Sequence, residues 1–177
     1  MNPGAGAPRV RRLHEPDAAA YHALRIRALR EHPDAFTSSF EEEQGRPLAW
    51  AEARLRDDAF RPHDFFLGAF ADGALAGIVG LQGRYRPKER HNATVVGMFV
   101  APELAGRGLG RALMNELLAR SRALADLSQL DLTVTEANHA AQALYAGCGF
   151  TVFGRQPNAI RLDGREFAKL HMLLRLR

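Results

Sequence analysis

The segment from Val100 to Leu113 reads Val-Ala-Pro-Glu-Leu-Ala-Gly-Arg-Gly-Leu-Gly-Arg-Ala-Leu, which places Gly106, Gly108 and Gly110 at alternate positions. Glycines so spaced let a backbone turn tightly with its N–H groups pointing inward. If a helix follows, its first amides lack partners and carry about half a positive charge. The chemistry of such a turn is anion binding, phosphate above all. The dinucleotide fingerprint G-x-G-x-x-G fails in both registers, since it would need glycine at Arg111 or Leu113, and the G-x-x-x-x-G-K-[ST] loop is absent. Arg107 and Arg111 flank the turn with guanidinium groups suited to anionic oxygens. Cys148 is the only cysteine, with no His or acid evidently paired to it; it forbids an internal disulfide and fits a reducing compartment. The seven histidines show no H-E-x-x-H spacing, because His14-Glu15 runs into Pro16-Asp17-Ala18, so no metal is expected.

Strand and helix patterns must alternate for this turn to sit between a strand and a helix, and they do. Arg9 to Glu15 reads as a short first strand. Tyr21, Leu24 and Ala28 mark an amphipathic helix that ends before Pro33, and Leu48, Ala51 and Leu55 mark a second that starts near Pro47, with a loop from Asp34 to Gly45 between them. Asp72-Gly73 joins Phe65–Ala71 to Ala74–Leu81 as a hairpin with a type I′ turn. His91 to Val100 forms a strand, Leu109, Leu113, Met114, Leu117 and Leu118 form the stripe of a helix reaching about Leu124, and Leu130, Leu132 and Val134 alternate along a strand parallel to the one before. A shorter helix from Asn138 to about Gly147 and a hairpin around Asp163-Gly164 finish the chain. The fold class expected is α/β, a mixed sheet flanked by helices.

The chain has 177 residues, enough for one domain with its own core, expected over 9–177 after a flexible tail at 1–8. No apolar run approaches the ~20 residues that span a bilayer, and the start has no signal-peptide pattern, so a cytoplasmic protein is expected. The net charge is +4 and 22 of the 24 basic residues are arginine, scattered without a basic block. That balance suits an anionic ligand better than nucleic acid, for which there is no aromatic RNA-binding or helix-turn-helix signature.

Ala105-Gly-Arg-Gly108-Leu-Gly110 resembles the pyrophosphate-binding motif of the GNAT superfamily of acyl-CoA N-acyltransferases, [QR]-x-x-G-x-[GA], and Thr135-Glu-Ala-Asn138 followed by Ala141, Leu144, Tyr145 and Gly149-Phe150 resembles that superfamily's second acyl-CoA element. The order of elements agrees over most of the chain. The resemblance implies an acetyl-CoA-dependent acetyltransferase in which an amine, on a small molecule or a protein, attacks the thioester directly. It implies that Gly106, Arg107, Gly108, Gly110 and Arg111 hold the pyrophosphate, that the main chain of Met98, Phe99 and Val100 meets the pantetheine arm with Asn138, and that Tyr145 stabilises or protonates the departing thiolate. Asn138 also suits a helix N-cap. The departure is Ala105, where the family carries Gln or Arg.

Relatives often place an acid or His on the fourth strand to take the amine proton, whereas Thr94-Val95-Val96 here has no titratable group. His91 and Glu136 flank the strand ends and are the candidates to act through water. Glu41-Glu42-Glu43 reads as a solvated charge run, with an acidic acceptor rim as the alternative. A catalytically idle acyl-CoA-binding or sensing module on the same fold is the rival to an enzyme. A homodimer is compatible with the sequence.

Overall fold

The computed structural model describes residues 9–177; the tail expected over 1–8 lies outside the described residues. Local chemistry sets the order of elements. β1 (Arg9–Arg12) is followed by α1 (Ala18–Glu31), α2 (Phe40–Glu43), α3 (Leu48–Leu55), β2 (Phe65–Ala71), β3 (Ala74–Gly83), β4 (Asn92–Val100), α4 (Leu109–Ala123), β5 (Gln129–Thr135), α5 (His139–Ala146), β6 (Thr151–Leu162) and β7 (Arg165–Arg175). Both hairpins turn on Asp-Gly, with φ +49° and +81° at Asp72 and Gly73 and +48° and +73° at Asp163 and Gly164, the left-handed pair of a type I′ turn. The first strand ends at Arg12, earlier than expected, because His14 opens a single 3₁₀ turn through Glu15–Asp17. The loop expected from Asp34 to Gly45 contains α2, capped reciprocally: the Glu42 N–H donates to the Ser39 hydroxyl and the Ser39 N–H to the Glu42 carboxylate.

The seven strands form one sheet in the order β1-β2-β3-β4-β5-β7-β6. Every pairing is antiparallel except β4 with β5, the two strands joined by the α4 crossover. Alternation sorts side chains to the two faces: Phe65, Leu67 and Ala69 pack with α4 and α5, and Phe66 with α1 and α3. The expected stripe of α4, Leu109, Leu113, Met114, Leu117 and Leu118, is wholly buried. On α3, Ala51 and Leu55 are buried but Leu48, at the first position, is exposed. No described helix is long and apolar enough to cross a membrane.

Candidate active site

β4 and β5 are paired only over Asn92–Thr94 with Gln129–Asp131. Beyond those three positions the strands part, so the edge of β4 from Val95 to Val100 facing β5 has no ladder partner. The vertex is pinned by Asp131, which accepts from the Thr94 hydroxyl at 2.7 Å and pairs with Arg84. A bulge shapes the free edge: against β3, Gly80 faces Val96 and Ile78 faces Phe99, so Gly97 and Met98 together oppose Val79. Gly97 has φ +64°, a conformation that side-chain-bearing residues rarely adopt. The extra residue reverses the phase of the strand. Ala93 and Val95 face α4 before the bulge; Met98 and Val100 do so after it, while Phe99 turns toward α1. An open strand edge of this kind can hydrogen-bond an extended, amide-bearing ligand.

The turn after β4 leads out of the same wedge. Gly106 and Gly108 have φ +76° and +80°, and Gly108 is the N-cap of α4. The N–H groups of Gly106, Gly108, Leu109, Gly110 and Arg111 find no acceptor among the described residues; the first helical bond runs from the Ala112 N–H to the Gly108 carbonyl at 2.9 Å. That leaves a cluster of donors at the positive end of a helix. Gly110 has a second role, since a Cβ there would sit 3.3 Å from Leu144 Cδ2, so its bare backbone lets α5 pack on α4. Arg107 is exposed and without a side-chain partner among the described residues. Arg111 is already engaged, donating to the Gly147 carbonyl at 2.7 Å and contacting Cys148 Sγ at 3.4 Å.

Deeper in the wedge lies a cavity of about 370 Å³ between the ends of β4 and β5, α1, α3 and the loop before α2. Tyr145 and Asn138 reach it from α5. The Asn138 side chain accepts from the Ala141 N–H at 3.0 Å, so it caps α5 while lining the cavity. Tyr145 is 7% exposed, packs edge-on against Phe150 at 6.2 Å, and its hydroxyl has no hydrogen-bond partner among the described residues. Burial pushes its pKa up, with the nearby Cys148 adding to the shift, so the phenol stays protonated at neutral pH.

The cavity also gathers charged residues, of which the sequence singled out only Glu43, as part of its acidic run. Arg25 and Glu43, 7% and 5% exposed, form a two-pronged ion pair at 2.8 and 3.0 Å. Burial works against the Glu43 carboxylate, but the Arg25 hydrogen bonds and charge outweigh it and hold the pKa below the usual value. Arg54 donates to the Tyr21 hydroxyl at 3.1 Å and lies over Trp50 and Phe66. Lys169 of β7 is 8% exposed and donates to the Thr37 hydroxyl at 3.0 Å. The acidic run therefore divides: Glu42 caps α2, Glu41 is exposed, and Glu43 alone lines the cavity.

Neither proposed base joins this site. Glu136 is held by Arg155 at 2.6 and 2.8 Å, outside the cavity lining, and that pairing lowers its pKa. A carboxylate so occupied is a poor proton acceptor. His91 precedes β4, at the end of the strand opposite the bulge. No group of three or more potential metal ligands occurs among the described residues.

The family model described as Acetyltransferase (GNAT) family matches residues 15–150, which take in the glycine turn, the β4 bulge, Asn138 and Tyr145. The chain belongs to the GNAT acetyltransferase family. It is an acyl-CoA-dependent acetyltransferase, on the mixed α/β fold expected. This GNAT chain is 34% identical over 119 residues to the N-alpha-acetyltransferase RimI of Mycobacterium tuberculosis, covering 66% of this chain and 71% of that protein. It is 34% identical over 146 residues to the mycothiol acetyltransferase of Salinispora arenicola, 80% of this chain and 44% of that protein, so it spans less than half the length of that relative. Among solved structures, a GNAT superfamily phosphinothricin acetyltransferase from Sinorhizobium meliloti, in complex with acetyl-CoA, shares the fold at TM-score 0.77 and 20% identity, over 96% of this chain and 89% of that one. Lys169 lies beyond the residues that the GNAT model matches.

Proposed function

We propose that this acetyltransferase moves an acetyl group from acetyl-CoA to a primary amine by direct attack within a ternary complex. One observation carries the reading: the wedge between β4 and β5 opens at one end on the free amides of Gly106, Gly108, Leu109, Gly110 and Arg111 and contains, at the other, a cavity lined by Tyr145. A pyrophosphate on the turn amides and a pantetheine arm along the main chain of Met98, Phe99 and Val100 would deliver the thioester to that cavity, with Asn138 beside the arm. Exposed Arg107 adds charge at the pyrophosphate, whereas Arg111 serves it only by giving up or sharing its bond to Gly147.

In the reaction the amine nitrogen attacks the thioester carbonyl carbon, the C–N bond forms and the C–S bond breaks. The sulfur leaves with the electron pair, and the surplus proton on nitrogen passes to water. Tyr145 acts on the sulfur. Its raised pKa makes full proton transfer to a thiolate, whose ordinary pKa is ~8.5, an uphill step. The phenol therefore works as a hydrogen-bond donor to the developing charge, a bond to an anion being stronger than one between neutral groups.

The experiment is release of free CoA thiol from acetyl-CoA across amino acids, peptides, polyamines and aminoglycosides. Acceptor-dependent release with formation of the acetylated amine is expected. Binding of acetyl-CoA with no release for any acceptor would overturn the reading.

A further inference from the structure

Six titratable side chains line the cavity: Tyr21, Arg25, Glu43, Arg54, Tyr145 and Lys169. Their charges do not balance. The carboxylate of Glu43 is taken up by both prongs of Arg25, at 2.8 and 3.0 Å. No described carboxylate lies within 4.0 Å of Arg54 or Lys169; their polar partners are the hydroxyls of Tyr21 and Thr37. Lys169 is 8% exposed, and a buried ammonium with one neutral partner is costly to maintain unless something with negative charge arrives. Its pKa is lowered by burial alone, with no carboxylate to restore it.

We infer that the acceptor is a small amine bearing a carboxylate within a few bonds of its nitrogen, and that Lys169 and Arg54 bind this carboxylate. The inference rests on the acetyl-transfer reading and names the acceptor class. A cavity of about 370 Å³ that must also admit the thioester leaves room for an amino-acid-sized molecule. A polyamine would bring further positive charge toward two unbalanced cations. A peptide has an amide where an amino acid has its α-carboxylate and would bring no counter-charge to that position. The two cations also supply what the missing base does not. An α-carboxylate in solution holds its neighbour's ammonium; once it is paired with Lys169 and Arg54 that hold is released, and the same positive charges disfavour the ammonium form of the bound amine. The nucleophile is then generated by the pocket's field, with water as the proton carrier.

Matched acceptors test this: amino acids against their own carboxamides, alongside spermidine and neutral tripeptides, with kcat/KM measured for wild type, Lys169→Met, Lys169→Arg and Arg54→Met and acetyl-CoA affinity measured in each. The carboxamide's amine is the more readily deprotonated, so a preference for the carboxylate runs against intrinsic reactivity. Wild type is expected to favour carboxylates by tenfold or more, Lys169→Met to lose most of that preference through KM, and Lys169→Arg to retain it, all with acetyl-CoA affinity within about twofold of wild type. Higher kcat/KM for carboxamides, spermidine or tripeptides, or a carboxylate preference that survives both Lys169→Met and Arg54→Met, would overturn the proposal while leaving acetyl transfer standing. If no acceptor is acetylated, acetyl transfer fails, and calorimetry of each amino acid and its carboxamide on the CoA complex decides the present point: tighter carboxylate binding supports it and equal binding overturns it.

Discussion

The turn at Gly106–Arg111 presents five backbone amides from one stretch of six residues, Arg107 alone being bonded back to Leu104, whereas the cavity presents side chains drawn from α1, α2, α3, α5 and β7, spread from Tyr21 to Lys169. The first is a property of local conformation: two left-handed glycines and a helix start produce it wherever they occur together. The second exists only when the whole sheet has assembled. A backbone site tolerates side-chain change and punishes conformational change; a side-chain site does the reverse. That difference predicts where substitutions hurt and what they hurt.

The largest effect expected is on the side-chain half. Glu43→Gln leaves Arg25 buried with no full counter-charge, a loss of about 3–5 kcal/mol of folding stability by analogy with broken buried pairs. The pair also gives an acid signature. Glu43 has a folded pKa below its unfolded value of ~4.3, so its contribution is complete above that value and is lost as pH falls through the lower folded one. Denaturant titrations at pH 7 and pH 3 should show the wild type and Glu43→Gln curves converging at the lower pH; parallel curves would show that the pair is not a stabilising unit.

On the backbone half, Gly108→Val forces a β-branched residue into φ +80° at the N-cap of α4. No described residue lies within 4 Å of a Cβ there, so the harm comes from conformational strain and from intrusion on the ligand. Calorimetry should find CoA affinity reduced about ten- to a hundredfold with the fold intact. Unchanged affinity would remove the turn from the CoA site.

Lys169→Met separates the two halves. Replacing a buried cation that lacks a described carboxylate partner should raise stability by about 1 kcal/mol, seen as a Tm higher by about 2–4 °C, while carboxylate-bearing acceptors lose kcat/KM through a raised KM. A fall in both would make Lys169 a structural residue.

Ala105→Arg is the smallest. It introduces one of the side chains that the resembled motif has at this position, next to amides that already supply the main donors, so CoA should bind equally well or tighter by at most ~1–2 kcal/mol. A several-fold weakening in a folded variant would mean that the exposed Ala105 makes room for a different ligand.

The same contrast explains what was legible in the sequence. Both Asp-Gly hairpins, the α4 stripe and the glycine turn are written in short spacings, and the structure has them where those spacings put them. The Ser39-Phe-Glu-Glu42 capping box was equally local, yet a run of three glutamates reads first as charge and not as a helix start. The β4 bulge is not local: Gly97 among valines looks like a weak point in a strand, and only the mismatch with β3 makes it the place where side chains change face. Arg25, Arg54 and Lys169 carry no motif at all. Each sits in an ordinary amphipathic element, and convergence on one cavity is a consequence of sheet order, with β7 inserted between β5 and β6.

Tyr145 is where the halves meet, and Tyr145→Phe tests the account at that point. The substitution keeps the ring packed against Phe150 and deletes the hydroxyl that has no other described partner. A hydrogen bond to a developing thiolate, at ~1.5–3 kcal/mol, corresponds to roughly a ten- to hundredfold fall in turnover. The single-turnover rate of acetyl transfer should fall by that factor, with acetyl-CoA affinity and Tm unchanged. A rate within threefold of wild type would contradict the claim that chemistry occurs at the Tyr145 end of the wedge.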